Sequence, residues 1–147
     1  MRDFRFNSQV ILQHPREQVF EFFSQAENLN FLTPPWVRFS ILTPPPIEMK
    51  TGTLIQYRIR VHGIPIRWDS EITQWDPPFR FQDTQRRGPY SQWVHSHIFE
   101  EVPEGTLVID EVEYRVPGGR LVNWLYVAAE LRRIFNHRLV NPPKLPG

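Results

Sequence analysis

The sequence predicts an α+β fold in which a curved antiparallel sheet of six or seven strands wraps around a long C-terminal helix, with two short helices after the first strand. Two patterns predict it. Segments with alternating apolar and polar residues follow one another through most of the chain, and a single amphipathic helical pattern comes after them. Consecutive strands joined by short turns favour an antiparallel meander, whose inner face must be buried against another layer.

The individual elements follow from local signals along the chain. A first strand is predicted over 3–13, and Pro15 then suits the first position of a helix, where its missing N–H costs nothing. A second short helix is predicted over 27–32, because Pro34 disfavours helix at the residue before it. The other strands are predicted over 37–43, 52–62, 66–76, 80–85, 90–101 and 106–116.

The final helix is predicted over 120–139, where apolar residues recur at helical spacing. At 1.5 Å per residue it would be about 30 Å long, enough to lie across the sheet. We therefore expect one domain over 1–140, followed by a proline-rich tail over 141–147. A helix gripped by a curved sheet commonly leaves a cavity between the two layers, which is a natural ligand site.

Composition excludes several classes of function. Lysine and arginine number 17 against 16 acidic residues, so the net charge of +1 predicts neither a nucleic-acid partner nor stable insertion into a membrane. The absence of cysteine excludes disulfides, zinc–thiolate sites and thiol nucleophiles. No apolar stretch resembles a secretory signal, and we expect a cytoplasmic protein. The sequence leaves the oligomeric state open.

The most informative stretch is the strand that begins after Gly88. Residues two apart on a strand share a face, and here that face carries two imidazoles between aromatic side chains: Tyr90, Trp93, His95, His97 and Phe99. Such a face is typical of the wall of a semi-polar pocket. The predicted ligand-binding residues are Tyr57, Ile59, Trp68, Ile72, Phe81, Tyr90, Trp93, His95, His97, Phe99, Asp110, Val112, Tyr114, Trp124 and Ala128.

Asp110 lies on the next strand and is expected to face inward, since its neighbours Glu111 and Glu113 are best left in water. A buried carboxylate needs a partner, and His95 is the expected one. A two-residue turn at 102–103 would pair His95 with Asp110 across the hairpin. A three-residue turn with Gly105 in a bulge would instead place Ile98 opposite Asp110. The sequence does not choose between these registers.

The two histidines can simply make the pocket wall polar through hydrogen bonds, and two chemical roles are alternatives to that interpretation. A His95–Asp110 pair could act as a general base in cyclisation or dehydration. His95 and His97 could share a metal ion, but the sequence offers only Asp110 as a further donor, and metal sites use three or four protein ligands. We therefore expect no metal site and no cofactor.

Three motifs resemble one protein superfamily: Pro15-x-x-x-Val-Phe-x-Phe-Phe, Gly88-Pro-Tyr-x-x-Trp-x-His-x-His-x-Phe and Gly105-Thr-x-x-x-Asp-x-Val-x-Tyr-x-x-Pro-Gly. Together with the order of elements, they resemble the SRPBCC (START-like, polyketide-cyclase-like) superfamily with its helix-grip fold. The likeness is to its small bacterial ligand-binding domains, which also occur fused to sugar-nucleotide-epimerase-like proteins. The resemblance implies a pocket for a hydrophobic ligand and does not imply one reaction.

Three functional hypotheses follow. The first is a binding module for a small hydrophobic or amphipathic molecule that is lipid-, isoprenoid- or polyketide-like. The second is a cyclase/dehydratase-type enzyme that uses the pair formed by His95 and Asp110. The third is a regulatory partner domain of an epimerase-like protein.

Overall fold

The structure, a computed structural model, describes residues 4–28, 33–61, 63–118, 127–140 and Leu145. Within these residues the chain forms seven strands and two α-helices. The strands are β1 (Phe4–Leu12), β2 (Ser40–Ile41), β3 (Leu54–Val61), β4 (Ile64–Asp76), β5 (Arg80–Arg87), β6 (Gln92–Val102) and β7 (Gly105–Arg115). The helices are α1 (Arg16–Phe23) and α2 (Ala128–Val140), and 3-10 helices cover Ala26–Asn28 and Pro35–Val37.

All neighbouring strands are antiparallel, in the order β1-β7-β6-β5-β4-β3-β2. This confirms the predicted fold class. The pairing of β4 with β5 shifts register between Asp69 and Ser70 and again between Ile72 and Gln74. Such irregularities bend and twist a sheet locally, and here they fall in the part of the sheet that forms the cavity wall.

One predicted strand differs from the observed one, and two predicted helices can be compared only in part. Of the short helix predicted over 27–32, the structure shows the 3-10 helix Ala26–Asn28, and 29–32 lie outside the described residues. The strand predicted over 37–43 is reduced to Ser40–Ile41, because the 3-10 helix Pro35–Val37 ends on Arg38 in the left-handed conformation (φ 50°), so the chain is not yet extended there. Only part of the predicted C-terminal helix can be compared, since 119–126 lie outside the described residues. None of the helices in the described ranges combines the length and apolar character needed to cross a bilayer.

The core consists of two groups of buried side chains that lie on the inner face of the sheet. In the first, Phe20 and Phe23 of α1 pack on Phe81 and Phe99. Leu145, in the predicted tail, is also buried in this group. In the second, residues of α2 pack on the sheet, and its members are Trp68, Trp93, Val112, Tyr114, Val116, Leu131 and Phe135.

The β6–β7 hairpin has neither of the two registers considered from the sequence. Its turn is Pro103–Glu104, with Val102 paired to Gly105, and His97 is therefore opposite Asp110. Gly105 has φ +143°, and a Cβ built on it would lie 2.2 Å from the carbonyl oxygen of Leu12. The backbone at the end of β1 thus leaves room only for glycine at the start of β7. The predicted inward face of β7 is confirmed and comprises Thr106, Val108, Asp110, Val112 and Tyr114.

Candidate functional site

A cavity of about 610 Å³ lies between the concave face of the sheet and α2. It is found where the two core groups meet, and Tyr57 packs against both groups. Leu131, Ile134 and Phe135 of α2 line the side opposite the sheet. The sheet side is formed by alternate residues of four adjacent strands, β3 to β6, as period-two geometry requires.

Aromatic rings form much of the sheet side of the cavity. The indole of Trp68 is nearly parallel to the ring of Tyr57 (13°, centroids 6.0 Å apart) and perpendicular to that of Trp93 (89°, 5.2 Å). Tyr90 contacts both tryptophans. The Nε1–H of Trp68 is buried and has no hydrogen-bond acceptor among the described residues. The aromatic wall therefore contributes ring surface to the cavity, and its one unpartnered donor is closed off within the packing.

Two histidine–carboxylate pairs form the polar part of the wall. Nε2 of His95 lies 2.8 Å from Oδ1 of Asp110, and Nε2 of His97 lies 2.6 Å from Oδ2 of Asp83. The two imidazoles stack with their centroids 3.8 Å apart, and the ring of His97 also stacks on Phe81 at 4.2 Å. The hydrogen bond predicted between His95 and Asp110 is present, and His97 has a carboxylate of its own.

Both pairs run diagonally across the sheet. Directly opposite His95 on β5 is Asp83, and directly opposite His97 on β7 is Asp110. Each imidazole instead bonds the carboxylate that lies diagonally across, which is within reach of a long side chain. The crossed arrangement brings the two rings together along β6 and ties that strand to both neighbours through side chains.

The protonation states of the second pair follow from its surroundings. Burial by itself would raise the pKa of Asp83. The hydrogen bond from His97, the charges of His97 and His95, and the Ser70 hydroxyl together hold that pKa below its ordinary value. Burial and the nearby His95 lower the pKa of His97, which the bond and charge of Asp83 and the charge of Asp110 offset only in part. At neutral pH the pair is therefore an aspartate beside a neutral imidazole.

Tyr57 is close enough to this pair to be affected by its charge. Burial and, secondly, the negative charge of Asp83 raise the pKa of the Tyr57 phenol well above 10. The phenol therefore keeps its proton. The polar end of the cavity thus combines a carboxylate, two imidazoles and a hydroxyl donor within an apolar surround.

Most of the predicted ligand-binding residues line the cavity, namely Tyr57, Ile59, Trp68, Ile72, Phe81, Tyr90, Trp93, His95 and His97. Others lie behind this wall or beside it. Phe99 is buried against α1, Asp110 reaches the site through His95, and Val112 and Tyr114 belong to the core group under α2. Ala128 is on α2 but does not line the cavity. Trp124 lies outside the described residues.

Asp83 is the main site residue that the sequence analysis missed. The signal was present, because alternation along β5 that turns Phe81 inward also turns Asp83 inward. Ser70, which donates to Asp83, follows Trp68 on β4 by the same rule. The apolar stripe of α2 likewise contains Leu131 and Ile134, which line the cavity.

Comparison with known proteins places the chain in a family. A family model described as polyketide cyclase / dehydrase and lipid transport matches residues 12–136. The chain belongs to this family. The match confirms the resemblance to the SRPBCC superfamily that the motifs indicated. No curated protein matches the chain.

Solved structures show the same fold. Protein CV1439 from Chromobacterium violaceum is 13% identical, with a TM-score of 0.68 over 92% of this chain and 96% of that one. Ara h 8.0201 is 14% identical, with a TM-score of 0.66 over 92% and 94% of the two chains. Major latex-like protein 151 from Panax ginseng is 14% identical, with a TM-score of 0.59 over 93% and 98%. At these identities the likeness to each is one of fold.

Proposed function

We propose that the protein binds a small hydrophobic or amphipathic molecule, lipid-, isoprenoid- or polyketide-like, in the cavity between the sheet and α2. The observation that carries the proposal is the cavity itself. Protein interiors are normally close-packed, whereas the described side chains leave about 610 Å³ open here beside buried aromatic and aliphatic groups. That volume falls in the range of about 300–1,000 Å³ that small-molecule sites occupy.

The polar groups of the wall suggest how such a ligand is oriented. The carboxylate of Asp83 lines the cavity and can accept a hydrogen bond from a hydroxyl of the ligand. A hydrogen bond to this partly buried carboxylate would discriminate against ligands that lack a hydroxyl. An apolar body with an oxygen-bearing end fits this cavity best.

The family supports the same proposal. Its description combines polyketide cyclisation or dehydration with lipid transport, and both activities require a cavity that accepts a largely apolar molecule. The description covers more than one activity on one scaffold, so the site rather than the family favours binding as the first candidate.

A cavity-filling variant tests the proposal. Ile134 lines the cavity, and Ile134→Trp would occupy part of its volume. Ile11 lies on β1 with 48% of its surface exposed, so Ile11→Trp makes the same chemical change outside the cavity. Binding of a fluorescent fatty-acid analogue, and its displacement by farnesol or an aromatic polyketide, would be measured by fluorescence titration. We expect saturable binding that Ile134→Trp weakens and Ile11→Trp retains.

Two results would contradict the proposal. Either the wild type shows no saturable binding of the fluorescent analogue, or Ile134→Trp binds the analogue as tightly as the wild type does. Native mass spectrometry of protein purified from its own organism complements the titration, because a co-purifying molecule would identify the ligand directly.

A second candidate function, cyclase/dehydratase-type catalysis, is favoured by one observation. His95 lines the cavity and lies within hydrogen-bond distance of Asp110, which is the geometry a general base and its orienting carboxylate require. Turnover of a linear poly-β-keto thioester would be followed by mass spectrometry in the wild type, His95→Gln and His14→Gln. Catalysis predicts turnover that only His95→Gln loses. No turnover by the wild type contradicts it.

The remaining expectations stay predictions: the cytoplasmic location, the lack of a nucleic-acid partner, the domain bounds 1–140 and 141–147, and the alternative role as a regulatory partner domain of an epimerase-like protein.

A further inference from the structure

We propose that Asp83, His95 and His97 form a binding site for a divalent transition-metal ion at the polar end of the cavity. The three residues lie on adjacent strands, and each offers a ligand atom within 4.8 Å of the ligand atoms of the other two. All three line the cavity. An ion held by them would keep coordination positions open to the cavity, where water or an oxygen of a bound molecule could fill them.

The donor set has the chemistry of known transition-metal sites. Two imidazole nitrogens and one carboxylate oxygen suit zinc and ferrous iron, and three protein ligands with open positions are typical of catalytic rather than structural metal sites. The sequence predicted no metal, because Asp110 was the only further donor expected near the histidines. The structure supplies the third donor from β5 instead, as Asp83.

Asp110 occupies the position of a supporting carboxylate behind both rings. Its Oδ1 lies 2.8 Å from Nε2 of His95 and 3.7 Å from Nδ1 of His97. A histidine that binds a metal usually donates its other N–H to a carboxylate, which fixes the orientation of the ring. With Nε2 of His95 held by Asp110, its Nδ1 is left to bind the ion, and Nε2 of His97 faces Asp83.

The distances require only small movements. Ligand atoms bound at about 2.0–2.2 Å to one ion lie about 3 Å from each other. Oδ2 of Asp83 and Nε2 of His97 are 2.6 Å apart and would separate by a few tenths of an ångström. His95 would approach the other two by at most about 2 Å, and the Asp110 carboxylate bonded to its Nε2 would move with it.

The charges of the site also suit a cation. Metal ions bind ionised carboxylates and neutral imidazoles. The lowered pKa values of Asp83 and His97 put both groups in these forms at neutral pH. A divalent ion would in addition balance a carboxylate that faces an otherwise largely apolar cavity.

Isothermal titration calorimetry with ZnCl₂ tests the proposal on protein first treated with EDTA and dialysed. We expect saturable binding of one ion per chain. Asp83→Asn keeps the shape of the side chain and should weaken binding at least tenfold, as should His97→Gln. Asp76→Asn changes an exposed carboxylate on β4, and His14→Gln changes a histidine before α1, so neither control should alter the affinity. Circular dichroism verifies that each variant is folded.

Wild-type protein provides a test that does not depend on folding of the variants. With one equivalent of Cu²⁺, electron paramagnetic resonance should show hyperfine coupling to imidazole nitrogens. The proposal is overturned by the absence of saturable Zn²⁺ binding, by wild-type affinity in folded Asp83→Asn, or by a Cu²⁺ spectrum without nitrogen coupling. The titrations contain no hydrophobic probe, and probe binding is measured in EDTA, so failure of the metal site and failure of the proposed function are distinguishable.

Discussion

The imidazole rings of His95 and His97 stack with their centroids 3.8 Å apart, and each ring bonds a carboxylate on a different neighbouring strand. The two carboxylates differ in environment. Asp110 has 1% of its side chain exposed, whereas Asp83 has 17% exposed and lines the cavity. The two histidines therefore make similar contacts, but loss of His95 affects a buried carboxylate, whereas loss of His97 affects a carboxylate that faces the cavity.

This inequality predicts different effects of the same substitution at the two histidines. His95→Phe removes the 2.8 Å hydrogen bond to the fully buried Asp110, which keeps its 3.7 Å contact with Nδ1 of His97, and should lower the free energy of unfolding by about 2 kcal/mol. After His97→Phe, Asp83 still accepts from the Ser70 hydroxyl and still faces the cavity. The free energy of unfolding should therefore fall by only about 1 kcal/mol. Urea denaturation of both variants measures the difference. Equal losses of unfolding free energy would mean that exposure to the cavity does not reduce the cost of leaving Asp83 without its bond to His97.

Trp68→Phe tests what the Trp68 indole contributes to the cavity wall. Its Nε1–H is buried and has no acceptor among the described residues, so its removal costs no hydrogen bond within the protein. The smaller ring leaves space beside Tyr57 and Trp93. Affinity for farnesol and for the corresponding hydrocarbon, measured by displacement of the fluorescent analogue, should therefore fall to a similar extent. A loss confined to farnesol would show that the indole N–H reaches the ligand.

Thr106→Val tests the connection between the start of β7 and the chain before α1. The Thr106 hydroxyl is fully buried and donates to the backbone oxygen of His14 at 2.8 Å. Valine has nearly the same shape and leaves that oxygen without this donor, so we expect a loss of about 1–2 kcal/mol. Thr53 makes the same kind of bond to Glu48 in an exposed turn. Thr53→Val should cost less in the same denaturation experiment, because water can replace the hydroxyl.

Gly105→Ala should be among the most destabilising single substitutions in the chain. Its φ of +143° disfavours any side chain, and the added Cβ would lie 2.2 Å from the carbonyl oxygen of Leu12. We expect a loss of about 3 kcal/mol or more. Gly52 also has a positive φ, of +96°, but nothing lies within 4 Å of its position for a Cβ. Gly52→Ala should therefore cost about 1 kcal/mol, and comparison of the two thermal unfolding curves separates collision from backbone strain.

The fold was predictable because local patterns determine it. Alternation identified the inner faces of β6 and β7, and Pro15 marked the helix that follows β1. The hairpin register was not predictable from the segment 102–105, because several turns fit those residues. A close contact with the backbone of Leu12, far away in sequence, admits only glycine at position 105. That contact exists only once β1 lies beside β7.

The site was predictable in part for the same reason. His95 and Asp110 could be paired from burial alone, since a buried carboxylate needs a partner. The pair of His97 and Asp83 depends on which residues of β5 and β6 face each other, and alternation along each strand does not fix that register. Sequence alone predicted the inward face but not the diagonal contacts across it.

The crossed histidine–aspartate bonds have a consequence for how β6 finds its place in the sheet. A strand beside an unfilled space has fewer close-packed neighbours to penalise misalignment, yet a slip of one residue would turn its whole inner face outward. In this protein such a slip would turn His95 and His97 to the outer face of the sheet. Asp83 and Asp110 would then lose their hydrogen bonds to the imidazoles. The side-chain bonds to both flanking strands therefore fix the register of β6. The wall can thus keep its shape although the space beside it stays open.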